Sequence, residues 1–137
     1  MSNHNFRNII AWQKGRRLVV DIYTLTAKFP QSEMYSLTSQ LRRAVVSITS
    51  NIAEGSGRGT DADFSRFLDI AMGSAKEVES QLINAQDLGF VLESDVVNIN
   101  NDLIDVQNLI FGFQKSLNKK KSNNLKSLFF FLFGLVS

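Results

Sequence analysis

Apolar residues recur along most of this chain at intervals of three and four, the signature of helices that each bury one side. The first such run carries Trp12, Val19, Ile22 and Phe29, with Leu18 and Leu25 beside them and Lys14, Arg17, Asp21 and Lys28 opposite, and predicts a helix from about Ile9 to Lys28. Pro30 stops it, because proline cannot continue the hydrogen-bond ladder and restricts the residue before it. Ser32 and Glu33 are suited to open a second helix, with Leu37, Leu41, Val45, Ile48 and Ile52 on one face, ending near Glu54 or Gly55. The glycines of EGSGRG supply a flexible turn or a left-handed position, and Thr60 or Asp61 caps the third helix. There Phe64, Leu68, Ala71, Ala75, Val78, Leu82 and Ala85 form a bundle seam, widened by Phe67 and Ile70 toward more than one neighbour. DLGF closes this helix at Gly89. Ile99, Leu103, Val106, Ile110, Phe113 and Leu117 then define a fourth, which Asn118 and the lysines at 119 to 121 bring to an end.

The Val19-Val20 and Val45-Val46 pairs sit in no period-two pattern, and no hairpin signal occurs. The expected fold is therefore all-α, an antiparallel up-down-up-down four-helix bundle joined by short loops and filling one domain over residues 6–118. Residues 119–137 are a basic and then phenylalanine-rich tail, expected to be disordered, docked into the oligomer or in contact with a membrane surface. Its apolar run from Leu128 to Val136 is about half of what a bilayer-spanning helix needs, so no transmembrane segment is expected.

Charge adds structure to this picture. The net charge is only +2, yet residues 1–60 hold eight Lys or Arg against three acids, residues 61–114 hold two against ten, and the remainder holds five against none. The chain is electrically striped, which suits pairing within or between copies, or contact with an acidic partner. Cysteine is absent, so disulfides and thiolate chemistry are excluded. The start, MSNHNFRNIIAW, has no apolar leader core, which makes the cytoplasm the expected location.

Candidate chemistry is sparse. Bundle metal centres need carboxylates and histidines converging from several helices, whereas the one histidine here is His4, near the terminus. Glu77 and Glu79 point to different sides of their helix, the serines have no histidine base, and GSGRG lacks the ending and context of a phosphate-binding loop. No enzyme activity, metal or cofactor is expected. What stands out is a polar stripe on the second helix, where Arg43, Ser47, Asn51, Glu54 and Arg58 step by four, four, three and four beside the apolar seam. Small Ser47 and Ser50 permit close helix approach. With Glu77 from the third helix, Arg43, Ser47, Asn51 and Glu54 are expected to form a buried or interfacial polar network that fixes register and partner. Lys14, Arg16, Arg17, Lys28, Arg42 and Arg58 are the residues suited to phosphate contact.

Three stretches, WQKGRRLVVDIYTLTAKFP, SEMYSLTSQLRRAVVSITSNIAEGSGR and FSRFLDIAMGSAKEVESQL, together resemble the bacterial four-helix bundle proteins known as 23S rRNA intervening-sequence proteins, or S23-like proteins. The resemblance covers about residues 6 to 117 and rests on Trp12, Gln13, Tyr23, Phe29, Pro30, Ser32, Glu33, Leu37, Gln40, Arg43, Asn51 to Gly55, Phe64, Phe67, Leu68, Gly73, Ser74 and Glu77. The tail beyond residue 118 departs from it. The resemblance implies a helical homo-oligomer, a pentameric ring by family precedent, with no established enzyme activity. More distantly, the chain is similar to the pentameric accessory protein of diversity-generating retroelements, which binds reverse transcriptase and nucleic acid. Three functions follow as alternatives: a homo-oligomeric scaffold that binds a protein partner, an RNA- or DNA-binding accessory protein that contacts phosphates through basic helices, and a purely structural self-assembling protein.

Overall fold

The computed structural model describes residues 4–133, the side chains of residues 120 and 121 excepted; the rest of the expected tail, 134–137, lies outside the described residues. Four helices account for most of the chain: α1 (Ile10–Thr26), α2 (Leu37–Ser56), α3 (Asp61–Asp87) and α4 (Glu93–Phe133). A 3-10 turn at Phe6–Asn8 leads into α1, held by the Asn5 carboxamide oxygen, which accepts from the Arg7 N–H at 3.1 Å. Along α1 the buried side runs through Ala11, Leu18, Ile22 and Leu25, while Trp12 and Val19 are half-buried. The stripe thus lies slightly around the helix from the one expected, with Leu18 and Leu25 at its centre rather than its edge.

The start of α2 also differs from expectation. Ser32 and Glu33 belong to a separate 3-10 turn, Gln31–Glu33, and the helix opens only at Leu37. Glu33 nevertheless serves that end: its carboxylate accepts from the Ser36 hydroxyl at 2.6 Å and from the Leu37 N–H at 3.4 Å. A negative group at free helix amides is favourable both as a hydrogen-bond acceptor and against the helix dipole. From there Leu37, Leu41, Val45, Ile48 and Ile52 are all buried, as their spacing predicts.

The glycines of EGSGRG do not adopt left-handed backbone. Gly55 lies inside α2, Gly57 has φ −89°, and Gly89 is the single positive-φ residue among those described. What Gly55 supplies is proximity, since a Cβ there would stand 2.7 Å from the Phe67 Cβ and 2.8 Å from the Phe64 ring. Thr60 then caps α3, its hydroxyl accepting from the Asp63 N–H at 3.1 Å. At the other end, the Phe90 N–H donates to the Ala85 carbonyl and the Gly89 N–H to the Gln86 carbonyl, with Gly89 at φ 77°. This is the paired closure that a left-handed glycine makes available.

All seven expected seam residues of α3 are buried, as is Phe67, whereas Ile70 is exposed. The α4 seam is buried at Ile99, Leu103, Val106, Ile110 and Leu117 and half-buried at Phe113. Beyond Leu117 the helix does not stop at Asn118 and the lysines; it continues without a break to Phe133, 41 residues in all. No proline or glycine stands between Gly112 and Gly134, and lysine and leucine are strong helix formers, so nothing in the local sequence ends it.

Candidate assembly face and basic groove

Two side-chain bridges join α2 to α3 and set their register. The Ser47 and Ser74 hydroxyls lie 2.7 Å apart, and the Gln81 carboxamide donates to Gln40 at 2.8 Å. Seven residues back along α2 therefore correspond to seven residues forward along α3, so the two helices run in opposite directions. The close contact of Gly55 with Phe67 and Phe64 lies at the other end of the same interface.

This register decides the fate of the expected polar network. Ser47 and Asn51 do come together: the Asn51 carboxamide donates to the Ser47 carbonyl at 2.8 Å and to its hydroxyl at 2.9 Å, which passes the chain on to Ser74. Arg43 falls between the two bridges, level with Val78 and beside Glu77. Glu54, however, lies three turns farther along α2, about 16 Å from Arg43 at 1.5 Å per residue. Within one chain, Arg43 cannot join Glu54 and Glu77 in a single network. Glu54 instead accepts from Arg58 at 2.9 Å in an exposed pair one helical turn apart, while Arg43 and Glu77 are exposed and form no ion pair among the described residues. The expected burial of these three charges is not found in the single chain, because residues spaced along one stripe share a side without sharing a location.

Ser74, missed as a member of this group, was legible only as a small residue; its partner depended on the register of two helices. Next to it, a Cβ on Gly73 would meet nothing within 4 Å, and Ile70 is exposed one turn before. The outer face of α2 and α3 thus combines a half-buried hydroxyl and amide chain, two opposite charges without an ion pair among the described residues, and open space at Gly73.

The six residues expected to contact phosphate are dispersed. Lys14 pairs with Asp105 of α4 at 3.3 Å. Arg42 donates to the Thr26 hydroxyl at 2.9 Å and lies 4.6 Å from the Tyr23 ring centre, which ties it to the end of α1. Arg58 is held by Glu54 and by the Phe67 ring at 4.5 Å. Lys28 lines a separate hollow with Asp21 and Asp95. Only Arg16 and Arg17 remain together, and Arg7 joins them around a groove of about 460 Å³ that also contains Trp12, Gln13 and Val20. Helical spacing predicts that Trp12, Gln13, Arg16, Arg17 and Val20 share one side of α1. Arg7 reaches it because the Gln13 carboxamide donates to the Arg7 carbonyl at 2.7 Å, holding the preceding turn against the helix. The Phe6 and Trp12 rings meet edge to face at 4.9 Å, Arg7 lies over Phe6 and Arg16 lies 5.8 Å from the Trp12 centre. No carboxylate lines this groove.

A larger hollow, about 610 Å³, lies between the start of α1 and α4, lined by His4, Asn5, Asn8, Ile10, Asn108 and Phe113 among others. His4 packs edge-on against both the Phe64 and Phe113 rings, with its Nε2 3.9 Å from Asp61, an arrangement that anchors the N-terminal segment over the start of α3. Among the described residues, no group of three or more histidine or carboxylate side chains is placed to hold a metal ion. No described helix is long and apolar enough to cross a membrane.

Comparison with known proteins agrees with this architecture. The family model described as 23S rRNA-intervening sequence protein matches residues 7–112. A crystal structure of a protein with unknown function from the S23 ribosomal protein family of Bacteroides thetaiotaomicron superposes with a TM-score of 0.69 at 25% identity, covering 77% of this chain and 98% of that one. No curated protein matches the chain.

Proposed function

We propose, given that this chain belongs to the 23S rRNA-intervening sequence protein family, that it acts as a self-assembling helical scaffold that holds a protein partner. The antiparallel up-down-up-down bundle is then the unit of a homo-oligomeric ring, with five copies following the family precedent. The observation that carries this reading is the outer face of α2 and α3. Arg43 and Glu77 stand exposed at the same level, one turn from a half-buried Asn51–Ser47–Ser74 chain, with open space at Gly73 and exposed Ile70 nearby. Adjacent opposite charges beside small residues favour a second copy in one register. Exposed Val97, Ile104 and Phe111, seven residues apart on α4, give a further apolar stripe for a partner.

Light scattering at tens of micromolar is the test. A mass about five times the 15.4 kDa of the chain is expected, lowered by Arg43→Ala and by Gly73→Leu. A persistent 15.4 kDa species would refute the scaffold. A second reading, nucleic-acid binding in the cytoplasm, is favoured by one observation: Arg7, Arg16 and Arg17 surround Trp12 in a groove without carboxylates. Guanidinium groups suit phosphates and an aromatic face suits an unstacked base. Binding of single-stranded RNA that weakens steeply with salt and is lost in Arg16→Ala/Arg17→Ala supports this reading. Salt-independent binding, or none, excludes it.

A further inference from the structure

We propose that the projecting end of α4 is a docking element for anionic lipid surfaces. Leu117 is the last buried residue of that helix among those described, and every side chain described from Asn118 to Phe133 is exposed. At 1.5 Å per residue, this segment carries the helix about 24 Å beyond the core. It cannot fold back, since the helix is continuous and has neither proline nor glycine between Gly112 and Phe133.

The distribution of side chains identifies the occupant. Leu128 to Phe133 are six consecutive apolar residues, all more than half exposed. Successive helical residues turn by about 100°, so six of them encircle the axis. A seam for a second helix needs an apolar stripe with polar residues around the rest of the circumference, which this end lacks. A medium that is apolar on every side accommodates it. Charge points the same way: from Val106 to the end the chain has no acid, while Lys115, Lys119, Lys120, Lys121 and Lys126 precede the apolar run. Lysines behind an aromatic end match a surface with anionic headgroups over hydrocarbon.

The depth is limited. The apolar run of the sequence from Leu128 to Val136 is about half of what a helix needs to span the hydrocarbon. The segment therefore enters the headgroup and acyl boundary without crossing it.

The full chain is tested by flotation with vesicles of phosphatidylcholine alone and with about one third phosphatidylglycerol. Binding to the anionic vesicles at least tenfold above the neutral ones is expected. Phe129→Ser/Phe131→Ser/Phe133→Ser should abolish it, and Lys119→Gln/Lys126→Gln should weaken it about 25-fold, each lysine near such a surface being worth about a factor of five. Circular dichroism should show the bundle of both variants intact, because the substituted positions lie outside the core. Equal flotation of wild type and the serine variant would overturn the proposal. So would a wild type that stays off anionic vesicles while the serine variant alone loses self-association, since the occupant would then be a second copy.

Discussion

Replacing Gly55 with alanine tests whether the α2–α3 interface is set by the absence of a single side chain. A methyl group at this position would stand 2.7 Å from the Phe67 Cβ and 2.8 Å from the Phe64 Cδ1. Carbon atoms prefer about 3.5–4.0 Å, so relief requires a shift of about 1 Å. Phe64 can tilt its ring, but the Phe67 Cβ is fixed to the α3 backbone and moves only if the helices part. Both phenylalanines are buried, and Phe64 packs in turn on Phe113 of α4 at 5.3 Å between ring centres, so the displacement spreads into a second interface. Overpacking of this kind costs about 1–3 kcal/mol, at the upper end where backbone must move. Alanine returns at most about 1 kcal/mol through helix propensity, less here because Gly55 is in the last turn. A net loss of about 2 kcal/mol follows, equivalent to a fall in Tm of ~5–10 °C for a domain of this size. Urea denaturation followed by circular dichroism at fixed protein concentration measures it. Gly112→Ala is the control: a Cβ there meets nothing within 4 Å, and about 0.5–1 kcal/mol of stabilisation is expected. A Gly55→Ala protein as stable as wild type, or more so, would refute the close-approach argument.

Other substitutions probe the polar contacts. Arg42→Ala removes the donation to Thr26 and the stacking on Tyr23, and should lower the unfolding free energy by about 1–2 kcal/mol, with Arg42→Lys recovering only part because the planar fork is lost. Glu54→Ala breaks an exposed pair with Arg58 and should change the unfolding free energy by less than about 0.5 kcal/mol when measured on dilute protein. A loss of 2 kcal/mol or more there would mean that Glu54 is buried against another copy. Thr60→Ala removes the α3 cap and should cost about 1 kcal/mol, again read from urea denaturation.

The periods of three and four along this chain carry the helical architecture by themselves. Val45, Ile48, Leu68, Val78, Leu103 and Ile110 are buried because a helix repeats every 3.6 residues and apolar groups leave water. Thr60 as one of two candidate caps and Gly89 as the end of α3 were legible for the same reason: both are local, decided within a few residues, although left-handed backbone was expected at the EGSGRG glycines and is found at Gly89. Glu33 shows where locality ends, since its helix begins four residues later than the sequence suggested and only its reach to Ser36 and Leu37 reveals its role. The end of α4 was misread because a run of lysines and asparagines looks like a boundary, although nothing in it breaks a helix.

The candidate site depended on distance between elements, which no period encodes. Arg43, Asn51 and Glu54 lie on one stripe, and the stripe was readable; the rise of α2 separates Glu54 from Arg43 by three turns, and the α2–α3 register, fixed by Ser47 against Ser74 and Gln40 against Gln81, sets Glu77 level with Arg43 and away from Glu54. Arg7 reaches the Trp12 groove through the turn that Gln13 holds, and Gly55 is required by two phenylalanines from another helix. Sequence determines which side of each helix faces inward. Packing of one helix on another decides which residues along that side meet.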